Sequence, residues 1–134
     1  MLFLTVFTSA CIHEGNEVQE NSEPTQETTP QTHSVSITST GFEPQTITIK
    51  AGDNVVWTNN GDSQHWPASA VHPTHKTYPG SDIQKCQTAE EQNIFDACKG
   101  FGPEETYTFT FNEKGKWNYH DHLVPGRFGT INVQ

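Results

Sequence analysis

Basic residues are scarce in this chain. Seven Lys and Arg face sixteen Asp and Glu, and five of the acids fall in residues 1–33, which hold no base at all. No basic patch can be assembled from that distribution, so nucleic acid is excluded as a partner. Long hydrophobic runs are missing too. The longest, LFLTVFTSA at the N-terminus, is too short for a spanning helix. Helical periodicity is weak throughout, whereas Val, Ile, Thr, Phe and Tyr alternate with polar residues between eight prolines and ten glycines, which predicts an all-β domain of short strands.

Only three cysteines are present, and they divide into different tasks. Cys11 follows the apolar run with Ser9 and Ala10 before it, as at a lipoprotein cleavage site. Thr8 stands where such a site usually has Leu, and no base precedes the run, so a plain cleaved signal or a short membrane anchor remain alternatives to lipidation of Cys11. Export is the expectation under each, to a periplasmic or extracellular face with a membrane tether through the N-terminus. An exported chain meets an oxidising compartment, and Cys86 and Cys98 are expected to pair there as a disulfide. The rival reading makes them soft metal ligands, for which copper or zinc would be suited.

Residues 12–33 are rich in Glu, Gln, Thr and Pro and nearly free of apolar side chains. They read as a flexible linker, with His13 and His33 as solvated linker histidines. One domain of about 100 residues, 34–134, then follows. Strands are predicted around Val35 and Ile37, over Thr46–Lys50, Asn54–Thr58, Thr106–Phe111, Lys116–His120 and Phe128–Val133. Between Tyr78 and Pro103 the alternation lapses, and the segment reads as an insertion closed by the disulfide. Within it Thr88 and Glu91 have capping-box spacing, which predicts a short helix over Ala89–Phe95.

Five of the seven histidines lie in the domain beyond residue 33, in two clusters: His65, His72 and His75, then His120 and His122 around Asp121. If Asp121 keeps strand geometry, both flanking imidazoles point away from it together, which suits one metal ion with Asp121 as a hydrogen-bonding partner or a carboxylate ligand. If the strand ends at His120, the loop re-aims His122 independently. His72 and His75 sit three apart on a loop stiffened by Pro67 and Pro73 and can converge on one ion. Imidazole suits copper, zinc, iron and nickel alike, so the donors predict a transition metal without naming it.

The stretch GFEPQTITIKAGDNVVWTNNGDSQHWP resembles the first half of a cupredoxin, the plastocyanin and amicyanin family, through Phe42-x-Pro44, Gly52-Asp53, Trp57-x-Asn59 and a first histidine, His65, eight residues after Trp57. GKWNYHDHLVPGRFGTINV resembles the second half, with Gly115, Trp117, Tyr119 and Gly129 in register. The resemblance implies a cupredoxin-like Greek-key β-sandwich of about seven to eight strands, copper as the metal, and a redox partner protein or a copper donor or acceptor as partner. In the same register the blue-copper cysteine becomes Asp121, the second histidine Val124 and the axial methionine Arg127, and the single methionine is Met1. A blue site needs a thiolate, so none is expected here.

Tyr119-His120-Asp121-His122 is also similar to the Y-H-x-H element of multicopper oxidases, and His65-Trp66 to the start of their H-W-H element, with Pro67 in place of the second histidine. The resulting expectation is a copper-binding protein with His65, His120 and His122 as ligands, helped by His75 or His72, and with zinc as the alternative metal. Its role would be copper handling or electron transfer rather than catalysis. A metal-dependent redox enzyme using Asp121 or Asp62 as acid or base, and a metal-free interaction domain, are the two competing functions.

Overall fold

The structure is a computed structural model, and it describes residues 29–134. Cys11, His13 and the leader and most of the linker lie outside the described residues. Eight strands form two four-stranded sheets among the described residues. They are β1 (Thr32–Ile37), β2 (Phe42–Glu43), β3 (Thr46–Ile49), β4 (Asn54–Asn59), β5 (Pro67–Ser69), β6 (Thr106–Thr110), β7 (Gly115–Asp121) and β8 (Phe128–Val133). One sheet has the order β2-β1-β4-β6 and the other β3-β8-β7-β5, giving the expected all-β sandwich.

Each long strand buries alternate residues because its two faces meet different surroundings. In β4 the side chains of Val55, Trp57 and Asn59 are buried, and in β8 those of Ile131 and Val133, in line with the buried Gly129. Trp57, Tyr119, Phe95 and Phe111 fill the centre with Val35, Ile37, Val55 and Ile131. Close approach also fixes one glycine. Tyr119 lies opposite Gly129 across the β7–β8 ladder, and a Cβ on Gly129 would fall 2.3 Å from the Tyr119 ring.

Two strands have no counterpart in the sequence pattern. β2 has two residues, and β5 is a three-residue edge strand that opens with Pro67, tolerated because its missing N–H costs no interior ladder bond. β1 begins at Thr32, and His33 within it bonds Asp53 through Nε2 at 2.8 Å. Linker composition therefore runs up to the first strand residues without marking the edge.

Residues 70–105 form the insertion, which packs onto the sandwich. Tyr78 and Phe95 from it join the core. Its two helical turns are 3-10, Ile83–Lys85 and Glu91–Asn93, so the predicted helix over Ala89–Phe95 is corrected to a single turn. Thr88 Oγ1 accepts from the Glu90 amide and Glu91 from the Gln87 amide, but the turn's N-cap is Glu90, whose side chain makes no cap bond. Burial of Ile94, Phe95 and Asp96 then draws the chain into extended form before a second turn can close. Cys86 and Cys98 are joined, with Cα atoms 5.3 Å apart, closing this segment as expected.

Candidate metal centre

β7 carries the site, and its burial shows how. Its outer face starts exposed, at Lys116 and Asn118, but ends buried at His120, because β5 pairs beside it and the insertion folds over that end. Inner-face burial continues through Tyr119 and Asp121. The strand keeps its geometry through Asp121, so the first of the two sequence alternatives describes the arrangement. His120 and His122 point to one side, and Asp121 points to the other.

On the histidine side, His72, His75, His120 and His122 each bring one ring nitrogen within 4.8 Å of the others. His75 Nε2 is 3.0 Å from His122 Nδ1, and His72 Nδ1 is 3.4 Å from His120 Nε2. The rings of His75 lie 4.8 Å from those of both His120 and His122. His75 and His120 are buried, His122 is half-buried and His72 is exposed, so the group opens to solvent at His72. A cavity of about 250 Å³ adjoins it, lined by His72, His120, His122, Leu123, Pro125 and Phe128 among others.

Each histidine is held by its local chain. The His75 backbone lies in the left-handed region (φ 59°), a conformation costing about 1–3 kcal/mol for a non-glycine residue, and its amide donates to Val71 O. Its Nδ1 meets Asp96 Oδ2 at 2.5 Å. The His122 amide donates to Trp66 O, and the Trp66 ring packs on the His122 imidazole with centroids 4.4 Å apart. Burial, and then the neighbouring His75, His72 and His122, push the His120 pKa down to about 4. Burial and His75 lower that of His122 in the same direction. Both rings are therefore neutral near pH 7, with lone pairs available to a cation.

His65 lies elsewhere. On the opposite side of β7 its Nδ1 contacts Asp121 Oδ2 at 2.6 Å, with both side chains at most 1% exposed. Asp121 Oδ1 accepts from the Trp66 and Leu123 amides, so the carboxylate is occupied by protein donors. Arg127 sets its guanidinium 3.5 Å from His65 Nδ1 and donates to Thr38 O and Ser39 O. The structure thus brings four of the five sequence-predicted histidines together and gives the fifth to Asp121. Cys86 and Cys98 lie with Asp96 in a second group of donors, but their sulfurs are spent on each other.

Asp96 joins the site without a signal in the sequence pattern. It lies in the aperiodic insertion, and nothing in its local sequence, IFDAC, distinguishes it from a surface acid. An Asp-x-Cys pattern beside a closing disulfide is the only available cue.

The donor set fits copper. Four imidazoles converge, two of them deeply buried, and the buried His120 Nδ1 has no hydrogen-bond partner. Borderline nitrogen donors in this number suit Cu(II) and Zn(II) alike. Comparison with known proteins names the metal. Residues 29–134 match the profile of the family described as copper binding proteins, plastocyanin/azurin family. The plastocyanin of Tetradesmus obliquus is 33% identical over 95 residues, 69% of this chain, and the match spans 58% of that relative's length. Plastocyanin of Scenedesmus fuscus is 30% identical over 95 residues, covering 86% of its length.

Among solved structures, a purple cupredoxin from Nitrosopumilus maritimus superimposes with a TM-score of 0.57 at 20% identity, covering 75% of this chain and 98% of that one. Amicyanin from Paracoccus versutus gives 0.56 at 23%, covering 75% and 79%. These likenesses agree with the two-sheet architecture. With the profile matched across the whole described domain, the chain belongs to the copper-binding plastocyanin/azurin family, whose cofactor is copper.

Proposed function

We propose that this is an exported copper protein that holds one copper ion on His72, His75, His120 and His122 and acts in copper handling. The observation that carries the reading is the convergence of four ring nitrogens within 4.8 Å on one side of β7, while the position of the family's cysteine is filled by Asp121 bound to His65. Copper bound there would supply a nitrogen-ligated Cu(II)/Cu(I) couple without a thiolate. The chain's own residues do the rest. His75 and His120 provide buried, neutral donors, Trp66 shields the His122 face, and His72 at the exposed rim leaves the group reachable for exchange with a donor or acceptor. Without a thiolate, the site favours tetragonal Cu(II) and reorganises more on reduction, which suits storage or delivery over rapid electron transfer.

The Cys86–Cys98 disulfide supports an oxidising compartment, in keeping with export. Tethering through a lipid on Cys11 would place the domain near a membrane surface, with the chain between Cys11 and β1 as its leash. Electron transfer with a redox partner protein is the second reading, and family membership is the observation that favours it.

The test is copper analysis with paramagnetic resonance and an optical spectrum on the Cu(II)-loaded protein. One bound copper with a nitrogen-rich tetragonal signal and no intense thiolate band, lost in the double variant His120→Ala/His122→Ala, is expected. An intense blue band would show a cysteine on the metal and overturn the site. Failure to bind copper in a fixed ratio would leave a metal-free interaction domain.

A further inference from the structure

We propose that Asp96, carried by the disulfide-closed insertion, is the positioning residue of this centre, fixing His75 directly and His122 through Trp66. The proposal builds on the reading of the four histidines as a copper site. Three N–H donors converge on its carboxylate. His75 Nδ1 approaches Oδ2 at 2.5 Å, and Trp66 Nε1 and the Cys98 amide donate to Oδ1 at 2.6 and 2.8 Å. Only an acceptor-only group can take all three at once, and a carboxylate is the one side chain of this size that does. Both the Asp96 carboxylate and the His75 ring are fully removed from solvent.

The direction of these bonds has a chemical consequence. When Asp96 accepts from His75 Nδ1–H, the neutral imidazole is fixed in the tautomer that leaves the Nε2 lone pair unprotonated. That Nε2 is the atom facing His122 Nδ1 at 3.0 Å. On its other oxygen, Asp96 holds the Trp66 indole, whose ring packs on His122. One carboxylate therefore orients two of the four histidines from opposite sides.

Asp96 itself is held by the insertion. Its own amide reaches Tyr107 Oη at 3.0 Å, its backbone bridges Ala68 of β5, and its Cys98 donor is tied to Cys86 through the disulfide. A segment added to the sandwich thus supplies the group that sets the ligand geometry, and Asp96 touches no metal itself. Hydrogen-bonded carboxylates behind metal-bound histidines typically govern affinity by about 10- to 100-fold.

The experiment uses the whole chain. In the metal-free protein, long-range nitrogen–proton NMR correlations are expected to show His75 protonated at Nδ1 in the wild type and redistributed between tautomers in Asp96→Asn, whose amide places N–H against a donor. Titration with Cu(II) against a competing chelator is expected to give one copper in both, bound about 10- to 100-fold more weakly in Asp96→Asn with altered nitrogen hyperfine structure. Trp66→Phe removes the indole N–H that Asp96 accepts and leaves a smaller aromatic ring against His122. It covers the case in which Asp96→Asn does not fold, and it is expected to weaken copper less than tenfold while changing the His122 resonances.

Asp96→Asn with unchanged His75 tautomer and wild-type copper affinity, or in its place Trp66→Phe with unchanged His122 resonances and affinity, would overturn the role of Asp96. No copper binding by the wild type would overturn the copper reading instead, and the tautomer of His75 in the metal-free chain would still decide whether Asp96 orients it.

Discussion

Two buried histidine–aspartate pairs lie on either side of β7, and they differ in what surrounds the far ring nitrogen. His75 is backed by Asp96 and turns Nε2 toward three more imidazoles. His65 is backed by Asp121, but its Nε2 has only Ser63 Oγ at 3.5 Å, and the Arg127 guanidinium lies beside its Nδ1. A carboxylate behind a histidine is therefore insufficient to make a metal site. Convergent lone pairs are needed as well, and a fixed positive charge a few ångströms away opposes a second cation. Asp121, at the position aligned with the family's copper cysteine, is hydrogen-bonded to His65 inside the protein, and the four convergent imidazoles of the proposed copper site lie on the insertion side of the strand.

The sharpest way to break this comparison is to replace each histidine by glutamine, which can still donate to its aspartate. His75→Gln should weaken Cu(II) by more than about 100-fold, beyond the range of outer-sphere changes, whereas His65→Gln should keep one copper at near wild-type affinity in a chelator competition. Copper lost from His65→Gln and retained by His75→Gln would reverse the assignment of the two pairs. Truncation to alanine should instead destabilise both sides alike, by about 1–3 kcal/mol or more in denaturant unfolding, because each removes a hydrogen-bond donor from a buried carboxylate.

Opening the disulfide should separate the pairs further. Cys86→Ser/Cys98→Ser is expected to lower stability by about 2–4 kcal/mol and to weaken copper through Asp96, while the His65 ring resonances, on the other side of β7, stay in place. Equal perturbation of both pairs would mean that the insertion stabilises the whole sandwich end and has no particular hold on Asp96.

A substitution in the sheet addresses both pairs at once. Gly129→Ala would drive a methyl into the Tyr119 ring, at a cost of about 1–3 kcal/mol. Because His120 and Asp121 follow Tyr119 on β7, a shift of that ring should disturb the copper spectrum and the His65 resonances together.

The smallest effect belongs to a third pair, His33–Asp53, at the start of the sandwich. Desolvation would raise the Asp53 pKa, but the Gln31 and Lys50 amides and His33 outweigh it and hold it at about 2. The folded value lies below the ordinary carboxylate value, so the stabilisation is complete above about pH 4 and is lost as pH falls toward 2. Wild type and Asp53→Asn should therefore differ in Tm near neutral pH and converge in that acid range, with copper affinity at neutral pH unaffected. A difference that persists unchanged at pH 2 would show that the carboxylate charge is not its source.

Legibility in the sequence follows the physics of each part. Six of the strands repeat with period two over four or more residues, long enough for alternation to stand out, while β2 and β5 are too short to carry a pattern. The second histidine cluster was readable because a strand fixes the relative directions of His120, Asp121 and His122. His75 and Asp96 sit in the irregular insertion, outside the strands, where no period ties side-chain direction to position, and their meeting depends on where the insertion packs.

By itself the sequence determined the all-β sandwich, the absence of a thiolate at the family's cysteine position and the supply of five domain histidines, because composition and strand alternation are local properties. Which four of those histidines share a centre, and that His65 is diverted to Asp121, were decided by tertiary structure alone. Those contacts join residues up to 56 positions apart, from the end of one strand, β7, to loops and an aperiodic insertion, and only the folded chain brings them within bonding distance.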